Sequence, residues 1–351
     1  MNKNHRHVTA ALASCLVMLF APVLHSADVN APPAELQPGR HPMIPHDHSP
    51  EMTAKLKAAI PVFDKVPDPA LHMIMNMMRA DYAWYISPDR TKGKVGVLVL
   101  NHGINEASDV LFTERLAPIA RTRPTAISFG MAMTTSEALQ QAVDDLNARG
   151  VSTIVAVDPE SSEHKSIYRQ WQYILGQRDK AAYVAVPLVT SKARILMAEP
   201  INDDPLIAKI LLDHAQALST DRRKEAVIII AHGPEDDVDN PPDLAEVRKL
   251  AAWVQKKGRF ASVDALNIQD DAPPQVRAAN VQAFRKLVTD ARAQGREVLV
   301  VPYVINAQGL QPKLQKDLAG LEFRFQENGM SDHPNFLKWI DKRVKETLRK
   351  G

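Results

Sequence analysis

The sequence of 351 residues predicts an α/β fold made of two tandem, flavodoxin-like half-domains, each a small parallel sheet with helices on both faces. A buried-type strand pattern that ends in His-Gly occurs twice, at His102-Gly103 and at His232-Gly233. Alternating helix and strand patterns follow each of them. Similar sequence motifs, around Pro205 and Pro334, end the two units at nearly equal distances after the two histidines. These three observations predict a duplicated unit.

Residues 1–27 have the layout of a secretory signal peptide, in which Lys3 and Arg6 precede an apolar run and cleavage is predicted near Ala27. The run is short for a transmembrane helix, so none is expected in the mature chain. The chain's one cysteine, Cys15, lies in this segment, which excludes disulfides and cysteine metal ligands from the mature protein. A lipoprotein site at Cys15 is the alternative. Both routes predict a periplasmic or secreted location.

The composition is that of an ordinary soluble domain, with 45% hydrophobic and 24% charged residues. The formal net charge is +2, and it falls to zero when the charges of Lys3 and Arg6 are removed with the predicted leader. A neutral chain has no overall attraction to phosphate backbones, so no nucleic-acid partner is expected.

Residues 28–92 are predicted to be a linker rich in His and Pro, followed by a Met-rich helix. The pattern from Leu71 to Tyr85 favours an apolar helix packed on the first half-domain, and thioether binding of a soft metal is the alternative. This linker contains three histidines, His41, His46 and His48. Two interpretations of them remain: they belong to an ordinary polar linker, or their imidazoles capture Ni, Co, Cu or Zn.

The first half-domain is predicted at residues 93–218. Apolar spacing indicates helices from Ser108 to Ala120 and from Thr134 to Asn147, the second with a Thr-x-x-Glu capping box. Strand patterns cover Thr125 to Phe129 and Val151 to Val157. Continuous Val/Ile strands between amphipathic helices indicate a parallel sheet covered on both faces.

The second half-domain is predicted at residues 219–351, and it repeats the same alternation. Its first helix is expected to be capped by Asp243 and Glu246 and to stop at Gly258. The remaining pattern predicts a strand from Ala261 to Leu266, a helix from Pro274 to Gln294 and a strand from Glu297 to Ile305.

Ligands of open α/β sheets bind beyond the carboxyl ends of the strands, where the strand order reverses. With the order 2-1-3-4, His102 follows strand one and His164 follows strand three, so the two imidazoles are expected to face each other. Imidazoles bind Fe, Co, Ni and Zn, a carboxylate from Glu160 or Glu163 could add charge, and His also accepts protons near neutral pH. For each histidine a turn residue without chemistry is the alternative. Leu310 stands where the second unit should match His164, which favours one complete site per chain.

The sequence resembles the class II chelatases, often called CbiX or SirB, in several features. These are the two strand-His-Gly motifs, His164, the segment Leu299-Val300-Val301-Pro302-Tyr303 and the closing helices after Pro205 and Pro334. The resemblance covers about residues 93 to 348. It implies a lyase that inserts Co, Fe or Ni into a sirohydrochlorin-type macrocycle held between the half-domains, as a monomer or homodimer without an organic cofactor. It also implies that His102 and His164 receive the metal and take the pyrrole protons.

Carboxylates at the rim of such a substrate would need cations, and five are candidates: Arg115, Lys165, Arg169, Lys192 and Arg194. A periplasmic protein that binds a metal or tetrapyrrole without turnover is the main alternative function. A third hypothesis is an α/β-hydrolase with Ser128 as nucleophile, although Ser128 follows His102 closely and the first glycine of the nucleophile elbow is missing.

Overall fold

The computed structural model describes residues 37–60, 63–77, 81–103, 105–130, 132–160, 162–307 and 310–351. The predicted signal peptide, with Lys3, Arg6 and Cys15, lies outside the described residues. Within the described ranges, no helix combines the length and the apolar character that crossing a bilayer requires.

The first sheet has five strands in the order β1-β3-β2-β4-β5. Strands β2 to β5 are parallel in the predicted order 2-1-3-4, and β1 is an added antiparallel strand at the β3 edge. The strands are β1 (Tyr82–Tyr85), β2 (Val95–Asn101), β3 (Thr125–Phe129), β4 (Thr153–Val157) and β5 (Arg194–Met197).

The second sheet repeats this order without an added strand, as β7-β6-β8-β9, and all of its pairings are parallel. Its strands are β6 (Glu225–Ala231), β7 (Ser262–Asn267), β8 (Glu297–Tyr303) and β9 (Arg324–Phe325). The predicted α/β fold with two flavodoxin-like half-domains is therefore confirmed.

Among the described residues, seven helices lie between successive strands, as parallel connections require; two more precede β1 and the last one follows β9. They are α1 (Pro50–Ala59), α2 (Asp68–Met77), α3 (Glu106–Ala120), α4 (Glu137–Ala148), α5 (Ser166–Ile174), α6 (Pro205–Leu218), α7 (Asn240–Gly258), α8 (Pro274–Ala293), α9 (Leu310–Asp317) and α10 (Pro334–Lys350). Short 3₁₀ turns cover Arg222–Lys224 and Met330–Asp332.

The segment before the first sheet differs from its prediction, because helix α2 ends at Met77 and the aromatic run Tyr82–Tyr85 forms strand β1. All four residues of β1 are buried. The linker runs along the outer edge of β1, where Arg40 pairs with Trp84 and Ile44 pairs with Asp81. A short apolar run is compatible with a helix or a strand, and tertiary pairing decides between them here.

Two predicted helix caps are wrong. Helix α4 starts at Glu137 after Ser136, so the expected capping box at its start does not form. Helix α7 starts at Asn240, three residues before Asp243, because two prolines suit its first turn. Asp243 is consequently buried, and it accepts hydrogen bonds from Ser162 and from Asn267.

The two half-domains share one apolar core, in which Val97 of β2 and Val227 of β6 belong to the same buried cluster. The closing helices are exchanged: α6, which follows the first sheet, packs on α7 and β8, while α10 packs on β4, β5 and α3. Arg343 of α10 donates to the carbonyls of Pro200 and Ile201 at 3.0 and 3.1 Å. Each unit therefore completes its packing with a helix from the other half of the chain.

Candidate active site

Two histidines stand beyond the carboxyl ends of the first strand of each unit, His102 after β2 and His232 after β6. The following glycines have φ of +74° and +77°, a region that favours glycine. A Cβ on Gly233 would also lie 2.7 Å from Cβ of Asn267. The turn brings each glycine carbonyl back to Nδ1 of the preceding histidine, at 2.5 Å in the first unit and 3.0 Å in the second.

These carbonyl contacts fix the tautomer of the neutral rings. A carbonyl oxygen only accepts, so Nδ1–H donates to it and Nε2 keeps a bare lone pair. Nε2 of His102 lies 3.2 Å from Oε2 of Glu160, and Nε2 of His232 lies 3.3 Å from Oδ2 of Asp271. The imidazoles are partly buried, with 43% and 42% of their side-chain surface exposed. Each ring thus places one nitrogen beside one carboxylate.

The strand register explains the first pair. Val99 of β2 pairs with Val157 of β4, so His102 and Glu160 lie equally far beyond two adjacent strands. Asp271 instead follows β7, on the opposite side of the first strand of its unit. The two pairs are therefore alike in chemistry but not related by a strict repeat.

The two pairs act on one another electrostatically. Burial is the largest influence on His102 and lowers its pKa, but the carboxylate of Glu160, the Gly103 carbonyl and Asp271 of the other unit together outweigh it, so that the pKa is raised. Burial is the largest influence on Glu160 and raises its pKa. The charges of His102, Lys165 and His232 oppose this rise. Charges from both half-domains thus act on the pair of the first unit.

The structure also sorts the candidate cations. Arg115 is bound by Ser331 and Asp332, Arg169 is bound by Asp239, Arg194 donates to the carbonyl of Gly351, and Lys192 is exposed. Lys165 donates to the backbone carbonyl of Glu160 at 3.3 Å and lowers the pKa of both His102 and Glu160. Of the five, Lys165 is the cation that acts on the pair.

His164 and Glu163 lie farther along the same loop. Nε2 of His164 is 3.9 Å from Oε1 of Glu163, and the His164 carbonyl accepts from Arg169 at 2.8 Å. In the described part of the chain, no hydrogen bond or ion pair joins the rings of His102 and His164. Their joint action therefore stays a prediction.

Glu160 was predicted from the sequence as a site residue, and Asp271 was not. The available signal was the run Gln269-Asp270-Asp271, which follows β7 at the same edge. Asp270 has a structural role, because its carboxylate forms ion pairs with Lys313 at 2.5 Å and with Arg277 at 3.2 Å. Asp271 is left to pair with His232.

The described residues contain no group of three or more His, Cys, Asp and Glu side chains placed to hold a metal ion. Two donors are nevertheless in place at His102 and Glu160. Neighbouring ligands on one ion, each about 2.1 Å from it, are about 3.0 to 3.4 Å apart. The 3.2 Å between Nε2 of His102 and Oε2 of Glu160 falls within this range, so the two atoms could be neighbouring ligands of one ion, with water or substrate as the other ligands.

Ser128, the hypothetical hydrolase nucleophile, lies inside strand β3, where it pairs with Leu100 and is 7% exposed. No strand-to-helix turn presents it, so the elbow that such a nucleophile needs is missing.

No family model and no curated protein matches the chain. Among solved structures, SirB from Bacillus subtilis with Fe3+ matches with a TM-score of 0.53 and 16% identity, over 73% of this chain and 96% of that one. The sirohydrochlorin chelatase SirB from Bacillus subtilis subspecies spizizenii in complex with cobalt matches with a TM-score of 0.50 and 15% identity, with the same coverage. The chain therefore has the fold of these chelatases.

Proposed function

We propose that the protein is a tetrapyrrole chelatase, which inserts a divalent Co, Fe or Ni ion into a sirohydrochlorin-type macrocycle in the cleft between the half-domains. The observation that carries the proposal is the pair of histidine–carboxylate contacts, His102–Glu160 and His232–Asp271, whose charges act on one another between the two half-domains. The fold shared with SirB structures that hold Fe3+ or cobalt supports it.

Metal insertion requires little covalent chemistry. The ion exchanges its water for pyrrole nitrogens, and two N–H protons leave the macrocycle. Nε2 of His102 and the carboxylate of Glu160 supply one nitrogen and one oxygen to the incoming ion, a donor set that suits borderline divalent metals. The substrate metal is released from this pair as the macrocycle nitrogens replace it.

The pair of the second unit suits proton removal. His232 holds a bare Nε2 beside the Asp271 carboxylate, and this carboxylate stabilises the imidazolium that forms when a pyrrole proton is taken. His164 and Glu163 are proposed as additional metal ligands at the cleft rim. Lys165 is proposed to bind a carboxylate of the substrate.

Insertion of Co(II) into metal-free sirohydrochlorin, followed by absorbance, tests the proposal. His102→Ala and Glu160→Gln are each expected to slow insertion by about 10²-fold or more, the usual contribution of a general base or ligand. His41→Ala is the matched control, because that ring binds Asp145 on α4. Wild-type rates in His102→Ala would overturn the proposal.

Two further outcomes separate the remaining hypotheses. A loss of rate in His164→Ala assigns that ring to the site, and a wild-type rate removes it. Metal that survives dialysis without entering the macrocycle identifies the protein as a binder without turnover.

A further inference from the structure

Two histidines of the linker, His41 and His48, lie against different helices. His41 binds Asp145 of α4 at 2.9 Å, whereas His48 lies against helix α2, where its ring faces that of His72. The two ring centroids are 4.9 Å apart, with the planes tilted by 50°. The sequence did not indicate this second pair of imidazoles, because His72 comes from a different element.

Hydrogen bonds fix the tautomer of His72. The hydroxyl of Thr53, on α1, donates its single proton to the carbonyl of Ser49 at 2.9 Å. The same hydroxyl lies 2.9 Å from Nε2 of His72, so at this contact it can only accept. Nε2 of His72 therefore carries the proton, and Nδ1 of the neutral ring carries a lone pair.

His48 is held in the same way. Its Nε2 lies 2.7 Å from Oδ1 of Asn76, an oxygen that only accepts, so Nε2 carries the proton here too. Its Nδ1 is buried and has no hydrogen-bond partner. Within the described residues, no hydrogen bond is formed by Nδ1 of His72 either. A bare, unpartnered lone pair is thus present on both rings.

We propose that His48 and His72 form a second metal site, separate from the cleft, which binds one borderline divalent ion through Nδ1 of both rings. Two imidazoles that bind one ion at about 2.0 Å have centroids about 5 Å apart, close to the observed separation. The Nε2–H bonds to Asn76 and Thr53 are the contacts that orient metal-binding histidines in proteins. Water completes the coordination.

Cu(II) is the probe for this site, since it binds nitrogen donors more tightly than the other divalent ions of its row. The measurement uses the purified full chain with His102→Ala and His232→Ala, which remove the cleft donors. We expect equilibrium dialysis to find one tightly bound Cu(II) per chain, and its electron paramagnetic resonance spectrum to show coupling to imidazole nitrogen.

Adding His48→Gln or His72→Gln is expected to weaken Cu(II) binding at least tenfold, while His41→Ala leaves it unchanged. Asn76→Asp is expected to tighten binding, because a carboxylate acceptor makes the ligand more basic, and Asn76→Leu to weaken it 10- to 100-fold. The Asn76 variants keep the proposal testable if a histidine variant folds poorly. Unchanged binding in His48→Gln and His72→Gln, or no effect of either Asn76 variant, would overturn it. The cleft chemistry is read separately, by metal insertion.

Discussion

The imidazole of His102 sits beside a carboxylate that controls its charge. Burial is the largest single influence on the pKa of His102 and lowers it, but Glu160 at 3.2 Å, the Gly103 carbonyl and Asp271 together raise it by more. Replacing Glu160 with Gln removes the attraction and leaves the effect of burial. We predict that the pKa of His102 in the metal-free protein falls in Glu160→Gln, as measured by NMR titration of the ring.

Lys165→Gln provides a control of opposite sign. The charge of Lys165 lowers the pKa of both His102 and Glu160, so its removal should raise both. An unchanged His102 titration in Glu160→Gln would show that the pair is not electrostatically coupled.

At the residue scale, the sequence located the histidines that follow the strands and one of the two carboxylates. His102 and Glu160 could be predicted because they lie just beyond adjacent parallel strands, a placement that follows from the strand order. The run after β7 marks Asp271 itself, but its influence on His102 could not be predicted, since that influence crosses from one half-domain to the other. Such a contact depends on how the units dock, which no local pattern contains.

At the scale of elements, helix α6 meets the start of α10 through two histidines. His214 is buried on α6, and its ring lies 5.9 Å from that of His333, the N-cap of α10. Burial, with a smaller contribution from His333, lowers the pKa of His214 to about 4, while Asp213 opposes the shift. The ring is therefore neutral in the folded protein near neutral pH.

This depressed pKa makes the folded state sensitive to acid. Above about pH 6.5 His214 is neutral in both states, and the fold has its full stability. As the pH falls from 6.5 to about 4, the unfolded chain binds a proton that the folded chain does not, at a cost of about 3 kcal/mol. We predict that the free energy of unfolding falls across this range, as measured by urea denaturation.

His214→Leu serves as the comparison, because it replaces the titrating imidazole with an apolar side chain that suits the buried face of α6. Its stability should vary less with pH between 6.5 and 4 than that of the wild type. Identical pH profiles for the two proteins would rule out His214 as the source.

Regular elements were the most predictable part of the chain, since the sheet strands carry continuous apolar runs bounded by turns. Strand β1 was missed because its aromatic run also suits a helix face, and only pairing with β3 and with the linker selects the extended form. The start of α7 differs from its prediction because Asp243 matches the pattern of a helix N-cap, whereas its side chain turns inward to Ser162 and Asn267.

At the scale of the molecule, the exchange of α6 and α10 ties the half-domains together. Trp339 of α10 is fully buried, and its ring stacks with that of Phe336. It belongs to the core cluster that also contains residues of β2 and β6. Polar contacts cross the same boundary, such as the hydrogen bond from Tyr183 to Glu235 at 2.9 Å. A unit cut from the chain would lose the helix that covers its sheet.

The shared core predicts that the two units unfold together. Trp339→Ala leaves a large cavity beneath α10 and should destabilise the protein by about 3 to 5 kcal/mol. Since α10 covers the first sheet while the cluster continues into the second, hydrogen exchange should show equal loss of protection in β4 and in β6. Lys338→Ala, at an exposed neighbour, should change stability by less than about 0.5 kcal/mol. If β6 kept its wild-type protection in Trp339→Ala, the half-domains would be separate folding units, and the exchanged helices would join them without making them cooperative.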